Sequence, residues 1–453
     1  MEYMPLYLFA AICFFLMLGF PVAFTLAGMA LAFAGFGISQ GVFEPGFILV
    51  LPERIFGIMG NITLMAVPLF VMMGVLLEKS KIAETLLKNM ALLMRGLPGG
   101  LAISVVLVGM LLAASTGIVG ATVVTMGLIS LPSMLKNNYS PALATGTICA
   151  TGTLGQIIPP SIALVLLGDV LSTAYYQAQV KLGVFSPKTV SVGDLFIGAI
   201  IPGLLLVFLY CVYILWTTKS DKNINTEHSL DEINPWNIIK GLVPPVLLIF
   251  VVLGSILSGA ATPAEASGVG ALGALILAIA SGNMGLKTLN EVLLTTLKVT
   301  AMVFTILIGA AMFSLVFRGF GGDELVQAGF SYLPGGQFAA IAVVMLLIFL
   351  LGFILDFIEI TFVVVPIVGP ILLMMGIDPV WLGIMIALNL QTSFLTPPFG
   401  FALFYLRGVA PAEIKTTQIY RGVIPFILIQ LFLLLVLCLF PELITYLPSL
   451  LNK

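Results

Sequence analysis

The chain has 453 residues, of which 60% are hydrophobic and only 8% are charged, and its formal net charge is −2. An ordinary soluble domain contains about 25% charged residues. A soluble core could not absorb this apolar excess, whereas a bilayer can, so we expect the lipid bilayer as a partner. The small net charge provides no basic surface for a phosphate backbone, and we expect no nucleic acid.

Catalytic chemistry has few candidate residues in this chain. His228 is the single histidine, and the four cysteines lie apart from one another inside apolar runs. Zinc sites and Ser-His catalysis both need histidines with placed partners, so we expect no enzyme of these classes.

Apolar runs and their breaks predict an all-α polytopic membrane protein. In the first half, the predicted segments are helices at 4–18 and 22–38, an interfacial arm at 44–58, a span at 60–78, a stretch at 97–135 broken at Ser115-Thr116-Gly117, a stretch at 140–172 broken at Pro159-Pro160, and a span at 193–217. In the second half, they are spans at 241–258, 263–281 and 299–317, a stretch at 338–376 broken near Asp356, a stretch at 379–407 broken at Pro397-Pro398, and a closing helix at 420–446. Because Glu2 and no basic residue precede the first run, we interpret it as a retained span rather than a signal peptide.

The distribution of basic residues predicts the orientation. If both termini are periplasmic and the two stretches at 97–135 and 338–376 are re-entrant hairpins, thirteen of the 18 lysines and arginines face the cytoplasm and five face outward. The positive-inside rule favours this topology, in a bacterial inner membrane. Full two-helix spans in place of the hairpins would leave the count almost unchanged.

An internal repeat is visible in the prolines. Pro132, Pro141, Pro159 and Pro160 recur 238 residues later as Pro370, Pro379, Pro397 and Pro398, and Pro202 recurs as Pro425 after an insertion within Ser172 to Val192 in the first half. The predicted topology makes the two copies inverted, because the first hairpin opens to the cytoplasm and the second opens outward. Inverted repeats with broken helices are typical of secondary transporters, and the paired interruptions point to the site.

The repeat predicts a scaffold and a transport domain, as in elevator-type transporters. The predicted parts are scaffold and arm 1–96, transport half 97–218 with the first hairpin, a cytoplasmic connector 219–240, scaffold 241–322, and transport half 323–453 with the second hairpin. The small residues Gly268, Gly270, Ala271, Gly273 and Ala274 suggest a sliding surface on the scaffold, although ordinary close helix packing is the alternative.

Two groups of hydroxyls, amides and free carbonyls flank the helix breaks, and such oxygen ligands suit Na⁺. The candidate Na⁺ residues are Ser115, Thr116, Gly117, Thr151, Gly152, Pro159, Asp356, Thr361, Gln391, Thr392, Thr396 and Pro397. The candidate substrate residues are Thr116, Thr153, Gln156, Glu359, Asn389 and Ser393. The alternative for each hydroxyl is a hydrogen bond to its own helix.

Carboxylates need separate interpretations. Asp356 and Glu359 are the acids of the second hairpin, and acids at membrane depth are usually functional, although a hydrogen-bonded structural role is the alternative. Thr262-Pro263-Ala264-Glu265 has the pattern of a helix capping box. Arg318 and Asp323 are expected to be solvated at the outer interface.

The phrase Ala261-Thr262-Pro263-Ala264-Glu265-Ala266, the paired Pro-Pro breaks and Leu355-Asp356-Phe357-Ile358-Glu359-Ile360 together resemble the large membrane subunit of the tripartite ATP-independent periplasmic (TRAP) transporters, within the ion-transporter superfamily. The resemblance implies an elevator mechanism, Na⁺ coupling, a small four-helix membrane subunit and a periplasmic substrate-binding protein that delivers a small organic acid. The insertion around Tyr175 to Ser191 is similar to a longer subgroup, which leaves the substrate open.

Two other functions remain open from the sequence. One is a standalone ion-coupled carboxylate transporter of related fold without a binding protein. The other is an intramembrane aspartyl enzyme, which would need a close pair of acids such as Asp169 and Asp356.

Overall fold

A computed structural model describes residues 3–117, 119–219 and 235–451, and every regular element within these ranges is helical. The helices of the first half are α1 Met4–Met17, α2 Val22–Ser39, α3 Gly46–Leu49, α4 Leu51–Met59, α5 Ala66–Lys79, α6 Ile82–Leu93, α7 Gly100–Thr116, α8 Val119–Lys136, α9 Pro141–Thr153, α10 Ile162–Lys181 and α11 Val192–Lys219. Those of the second half are α12 Pro235–Leu257, α13 Pro263–Ala280, α14 Leu286–Gly319, α15 Gly322–Ser331, α16 Gly336–Leu351, α17 Phe357–Val363, α18 Val365–Met374, α19 Pro379–Leu395, α20 Phe401–Val409, α21 Thr416–Leu439 and α22 Glu442–Leu451.

Seven helices in the described ranges are long and apolar enough to cross a bilayer, or up to nine if each of two bent pairs forms one span. The bent pairs are the arm helices with α5, at 53°, and α17 with α18, at 56°. Large apolar side chains such as Phe24 and Phe250 are exposed on the outer helices. An apolar exterior of this kind suits contact with lipid, and the prediction of an all-α polytopic membrane fold is confirmed.

Several predicted boundaries are wrong. The predicted map lacks α6 and α15, and the span predicted at 299–317 is the 34-residue helix α14. A search for long apolar runs misses α6 and α15 because charged residues interrupt them and only one face of each is apolar. The insertion between Ser172 and Val192 is helical as far as Lys181. The predicted connector at 219–240 is helical from Pro235, and its central part with His228 lies outside the described residues.

The repeat appears in the packing as an exchange of neighbours. In one set of pairs, α5 packs on α13, α9 on α21 and α10 on α18, and in the matching set α14 packs on α2, α19 on α11 and α20 on α8. When equivalent elements exchange partners in this way, an approximate two-fold axis relates the two halves. Thr153 and Gln391 are 238 residues apart, the same offset as the prolines, and hydrogen-bond to each other at 3.3 Å. This contact between equivalent positions marks the axis.

Glycines allow the closest helix contacts. A β-carbon at Gly146 in α9 would overlap the backbone of Gly422 in α21, and one at Gly309 in α14 would overlap the backbone of Ala23 in α2. Backbones can approach this closely only where a side chain is missing.

The small residues of α13 serve close helix packing, the alternative that the sequence left open. A β-carbon at Gly270 would collide with Met73 of α5, and one at Gly273 with Leu248 of α12. These helices both belong to the predicted scaffold, so α13 has its glycines inside that unit. The capping box at its start is confirmed, because Thr262 N donates to Glu265 Oε2 at 2.8 Å and Glu265 N donates to Thr262 Oγ1 at 3.3 Å.

We expect Gly146→Ala to destabilise the protein, because the new methyl group must push α9 away from α21. Overpacking of this kind costs about 1–3 kcal/mol. The matched control is Gly28→Ala in α2, where a β-carbon meets nothing within 4 Å. Thermal unfolding in detergent should give a lower midpoint for Gly146→Ala and an unchanged or higher midpoint for Gly28→Ala. Equal midpoints for the two variants would contradict the close contact.

Candidate functional site

A central cavity of about 70 Å³ lies where the turns of the two hairpins meet. The first hairpin contributes Gly117, which ends α7 with a left-handed φ of 59°, and the second contributes Asp356. The broken helices contribute Gln156 and Phe394. The remaining wall is largely apolar and includes Val67 and Val71 of α5, Val299, Met302 and Val303 of α14, and Tyr405 of α20. Four different parts of the repeat therefore converge on one point.

The first broken helix supplies buried oxygens and nitrogens without partners. Helix α9 ends at Thr153, a 3₁₀ turn follows over Leu154–Gln156, and α10 begins at Ile162. The Thr151 hydroxyl and both polar atoms of the Gln156 side-chain amide are buried and have no hydrogen-bond partner. Thr151 lies against Gly109 of α7, where a β-carbon would collide with its methyl group. This half of the predicted site is thus packed on the first hairpin.

The second broken helix also supplies buried polar atoms without hydrogen-bond partners, at positions that differ from those of the first. Every residue of α19 is buried, and Gln391 uses its amide nitrogen on Thr153 while its Oε1 has no partner. The Ser393 hydroxyl is also unpartnered and lies against Gly352 of the second hairpin, where a β-carbon would overlap it. The Thr361 hydroxyl of α17 is buried without a partner as well.

Other predicted residues make ordinary structural contacts. The hydroxyls of Thr153, Thr392 and Thr396 donate to carbonyls of their own helices at 2.7–2.8 Å. Asn389 donates to the Met345 carbonyl at 2.7 Å and lines a different crevice, beside α16 and α21. The three threonines match the alternative of a hydrogen bond to their own helix, whereas Asn389 bonds to another helix and does not line the central cavity.

The remaining predicted residues shape the backbone or lie outside the described part. Gly152 packs against Val123 of the first hairpin, where a β-carbon would overlap the valine side chain. Pro159 and Pro397 lie in the irregular segments after α9 and α19. The side chains of Ser115 and Thr116 are outside the described residues.

The two acids of the second hairpin form a helix cap. Asp356 N donates to Glu359 Oε2 at 2.9 Å, and Phe357 N donates to Asp356 Oδ1 at 2.7 Å. Glu359 is buried and does not line the central cavity, whereas Asp356 does. Asp356 therefore combines the structural role with a position at the cavity wall. Asp169 lines other cavities, so no described cavity holds the acid pair that an aspartyl enzyme would need.

Sequence reasoning missed the residues that hold the helix breaks together. The Ser161 hydroxyl donates to the carbonyls of Gly155 at 2.7 Å and Gln156 at 3.2 Å, and it also caps α10. In the second half, the Tyr420 hydroxyl donates to the Pro398 carbonyl at 3.2 Å. A serine directly before an apolar run is a helix-start signal that could have identified Ser161. No local signal identifies Tyr420, because its partner is 22 residues away.

The arrangement can bind small polar species inside an apolar protein. Buried side-chain oxygens without a partner are rare in native proteins. Leaving one unsatisfied costs about 1–3 kcal/mol, which a bound cation or polar substrate would offset. Gln156 lines the cavity between the two hairpins, and the other unpartnered oxygens lie in the broken helices and the second hairpin. Transporters of repeated architecture bind their cargo at such paired breaks. The fold and the site thus define a multi-pass membrane transport protein.

The sequence profile described as "Tripartite ATP-independent periplasmic transporter, DctM component" matches residues 9–443. The chain belongs to this family. The description "tripartite" and the relatives' name "large permease protein" identify the family as the large membrane component of a three-part transporter, which works with a small membrane subunit and a periplasmic binding protein.

Relatives with named substrates align over most of their length. The C4-dicarboxylate TRAP transporter large permease protein DctM of Pseudomonas aeruginosa is 30% identical over 90% of this chain and 91% of its own. The sialic acid TRAP transporter large permease protein SiaM of Vibrio cholerae is 29% identical over 95% of both chains. An isethionate TRAP transporter permease protein, DctMQ of Oleidesulfovibrio alaskensis, is 27% identical over 98% of this chain and 65% of its own.

Two solved structures share the fold at low sequence identity. The Alcanivorax borkumensis YdaH transporter has a TM-score of 0.60 at 15% identity, covering 87% of both chains. The Neisseria gonorrhoeae efflux protein MtrF has a TM-score of 0.60 at 14% identity, covering 87% of this chain and 84% of its own.

We expect Thr151→Val to weaken the response of transport to Na⁺ without destabilising the Na⁺-free protein. The substitution keeps the shape and removes an unpartnered hydroxyl, so it should be neutral or stabilising when nothing is bound. The control is Thr145→Val in the same helix, which removes a hydroxyl that donates to the Pro141 carbonyl. Uptake as a function of Na⁺ concentration should shift for Thr151→Val only. A lower unfolding temperature with an unchanged Na⁺ dependence would assign Thr151 a structural role.

Proposed function

We propose that this chain is the substrate-translocating subunit of a Na⁺-coupled secondary transporter that imports a small organic acid. The observation that supports this proposal most is the set of buried, unpartnered oxygens in the two broken helices and the second hairpin, those of Thr151, Gln156, Thr361, Gln391 and Ser393. Among them, Gln156 lines the central cavity. They are neutral oxygen ligands, as Na⁺ sites at broken membrane helices use. One charge moving through about 100 mV supplies roughly 2.3 kcal/mol, before the Na⁺ concentration ratio adds to it.

The names of the relatives support the proposed substrate class. Relatives are named for C4-dicarboxylate, sialic acid and isethionate, and each name denotes a small organic molecule with an acidic group. The central cavity is smaller than such a molecule, so we infer that it opens when the hairpins separate from the scaffold. A periplasmic binding protein would deliver the substrate, and a small four-helix membrane subunit would join this chain in a bacterial inner membrane with both termini periplasmic.

An elevator movement is the mechanism that we propose. Helices α7, α10 and α17 meet α5 and α14 at the boundary between the predicted transport and scaffold parts. At the central cavity, the scaffold side of this boundary consists of valines and a methionine. Such a surface makes no directional bonds, so a rigid block can slide over it at low cost. The glycine-rich α13 has no part in this surface.

We expect uptake in proteoliposomes to require both an inward Na⁺ gradient and the cognate binding protein. Replacement of Na⁺ by K⁺ or choline should reduce uptake to background, because the unpartnered oxygens would then lack their ion. Uptake driven equally well by a proton gradient in K⁺ would contradict Na⁺ coupling. Full uptake without the binding protein would favour the alternative, a standalone carboxylate transporter.

The elevator proposal predicts that a Phe357→Cys/Val303→Cys pair cross-links in one transport state only. Both positions line the central cavity, one on the second hairpin and one on α14. The pair belongs on a background in which Cys13, Cys149, Cys211 and Cys438 are replaced. Cross-linking should differ between Na⁺-free conditions and Na⁺ with substrate, and it should stop uptake until a reductant is added.

The matched control for this experiment is Met73→Cys/Gly270→Cys, since these positions touch within the scaffold. This pair should cross-link equally in both conditions. If the hairpin pair also cross-linked equally and left uptake unchanged, local gating would replace the moving block.

A further inference from the structure

A second cavity lies on the boundary between the predicted transport and scaffold parts, toward the C-terminal end of α14. We call it the arginine cleft. Its volume is about 430 Å³, and its lining includes Arg54, Asn61, Asp169, Thr173, Ser314 and Arg318. Helix α14 lines the central cavity at Val303 and the arginine cleft as far as Arg318. At a rise of 1.5 Å per residue, these two positions are roughly 22 Å apart along the helix. The cleft therefore opens toward the end of α14 that the distribution of basic residues places outside.

Arg318 connects the scaffold with the transport part across this cleft. Its Nε lies 3.5 Å from Asp323, and its Nη2 donates to the Pro366 carbonyl and to Gln177 Oε1, both at 3.3 Å. Pro366 belongs to α18 and Gln177 to α10. The prediction that Arg318 and Asp323 are simply solvated is therefore wrong, because their side chains are about three-quarters buried, with exposures of 24% and 27%. Arg318 and Asp323 instead pair with each other beside the cleft.

Arg54 is left without a counter-charge. It makes no hydrogen bond or ion pair with any described residue, and the positive charge of Arg318 is close enough to act on it. The nearby acids are engaged elsewhere, because Asp169 accepts the Asn61 amide at 2.9 Å and Asp323 pairs with Arg318. Two partly buried guanidinium groups thus line the same cleft, and the one acid among its described lining residues, Asp169, accepts a hydrogen bond from Asn61.

We propose that the arginine cleft binds the carboxylate of the substrate between Arg54 and Arg318, before the substrate reaches the central cavity. This assignment rests on the proposed function. A bound carboxylate would remove the repulsion between the two cations and satisfy the N–H donors of Arg54. Guanidinium and carboxylate groups match in a bidentate geometry, which favours this anion over a spherical one such as chloride. The bound anion would also compete with Asp323 for Arg318.

Charged thiol reagents test the electrostatics of the cleft without knowledge of the substrate. Thr173 is exposed and lines the cleft, so Thr173→Cys on the cysteine-replaced background reports on it. The quantity to measure is the reaction rate of an anionic methanethiosulfonate divided by that of a cationic one. This ratio should be higher at Thr173→Cys than at Ser331→Cys, an exposed position outside the cleft. Adding Arg54→Gln should lower the anion-to-cation rate ratio at Thr173→Cys by roughly tenfold and leave it unchanged at Ser331→Cys. An unchanged ratio at Thr173→Cys would overturn the proposal.

Uptake kinetics test whether the cleft lies on the substrate's route. Arg54→Gln should raise the half-saturating concentration by roughly tenfold with a smaller effect on maximal rate, and Arg54→Lys should rescue only part of the loss. An altered reagent ratio with an unchanged half-saturating concentration would overturn the assignment to substrate. The reagent ratio does not depend on uptake, so a failure of Na⁺ coupling or of binding-protein dependence in the unmodified protein would count against the proposed function alone.

Discussion

The structure depends on one constraint, which is that backbone polar groups within a bilayer must find partners inside the protein. Both broken helices meet it by burial. Helix α9 is covered by α21 from the other repeat, and α19 is covered by α11. Side chains then take the carbonyls that the breaks release, as Ser161 does for Gly155. The exchange of neighbours between the repeats follows from this constraint, since neither half alone can enclose its own break.

The same constraint separates two kinds of helix contact. Where backbones must stay together, glycines bring them into direct contact, as Gly146 does with α21 and Gly309 with α2. Where the hairpins meet α5 and α14, branched apolar side chains such as Val71 and Val303 line the contact instead. Close glycine contacts lock a register, because a shift by one residue would drive side chains into the opposite backbone. A valine surface has no such register, and the proposed sliding movement needs a boundary of this kind.

Much of the architecture could be predicted because proline leaves a strong local signal. The Pro-Pro pairs located both breaks, and their common offset revealed the repeat. The positions of the prolines do not predict which hydrogen-bond partner each side chain finds. Thr151 and Thr153 are two residues apart in the same helix, yet one hydroxyl lacks a partner and the other is bonded twice. Which face of α9 meets the hairpin decides this difference, and tertiary packing sets that face. Asn389 points toward α16 for the same reason.

The two halves of the candidate site share a framework but differ in their side chains. At the offset of 238, Thr151 corresponds to Asn389 and Gly155 to Ser393, so an unpartnered hydroxyl in one repeat has no copy in the other. The hairpins differ more strongly, since Asp356 and Glu359 correspond to Ile118 and Ala121. A carboxylate at the cavity wall changes the field that any bound cation experiences, because opposite charges attract more strongly where little water is present. The repeat would therefore create two sites of similar shape, one with only neutral ligands and one beside an acid. Two ions bound there would differ in affinity, and this difference would give their binding and release a defined order.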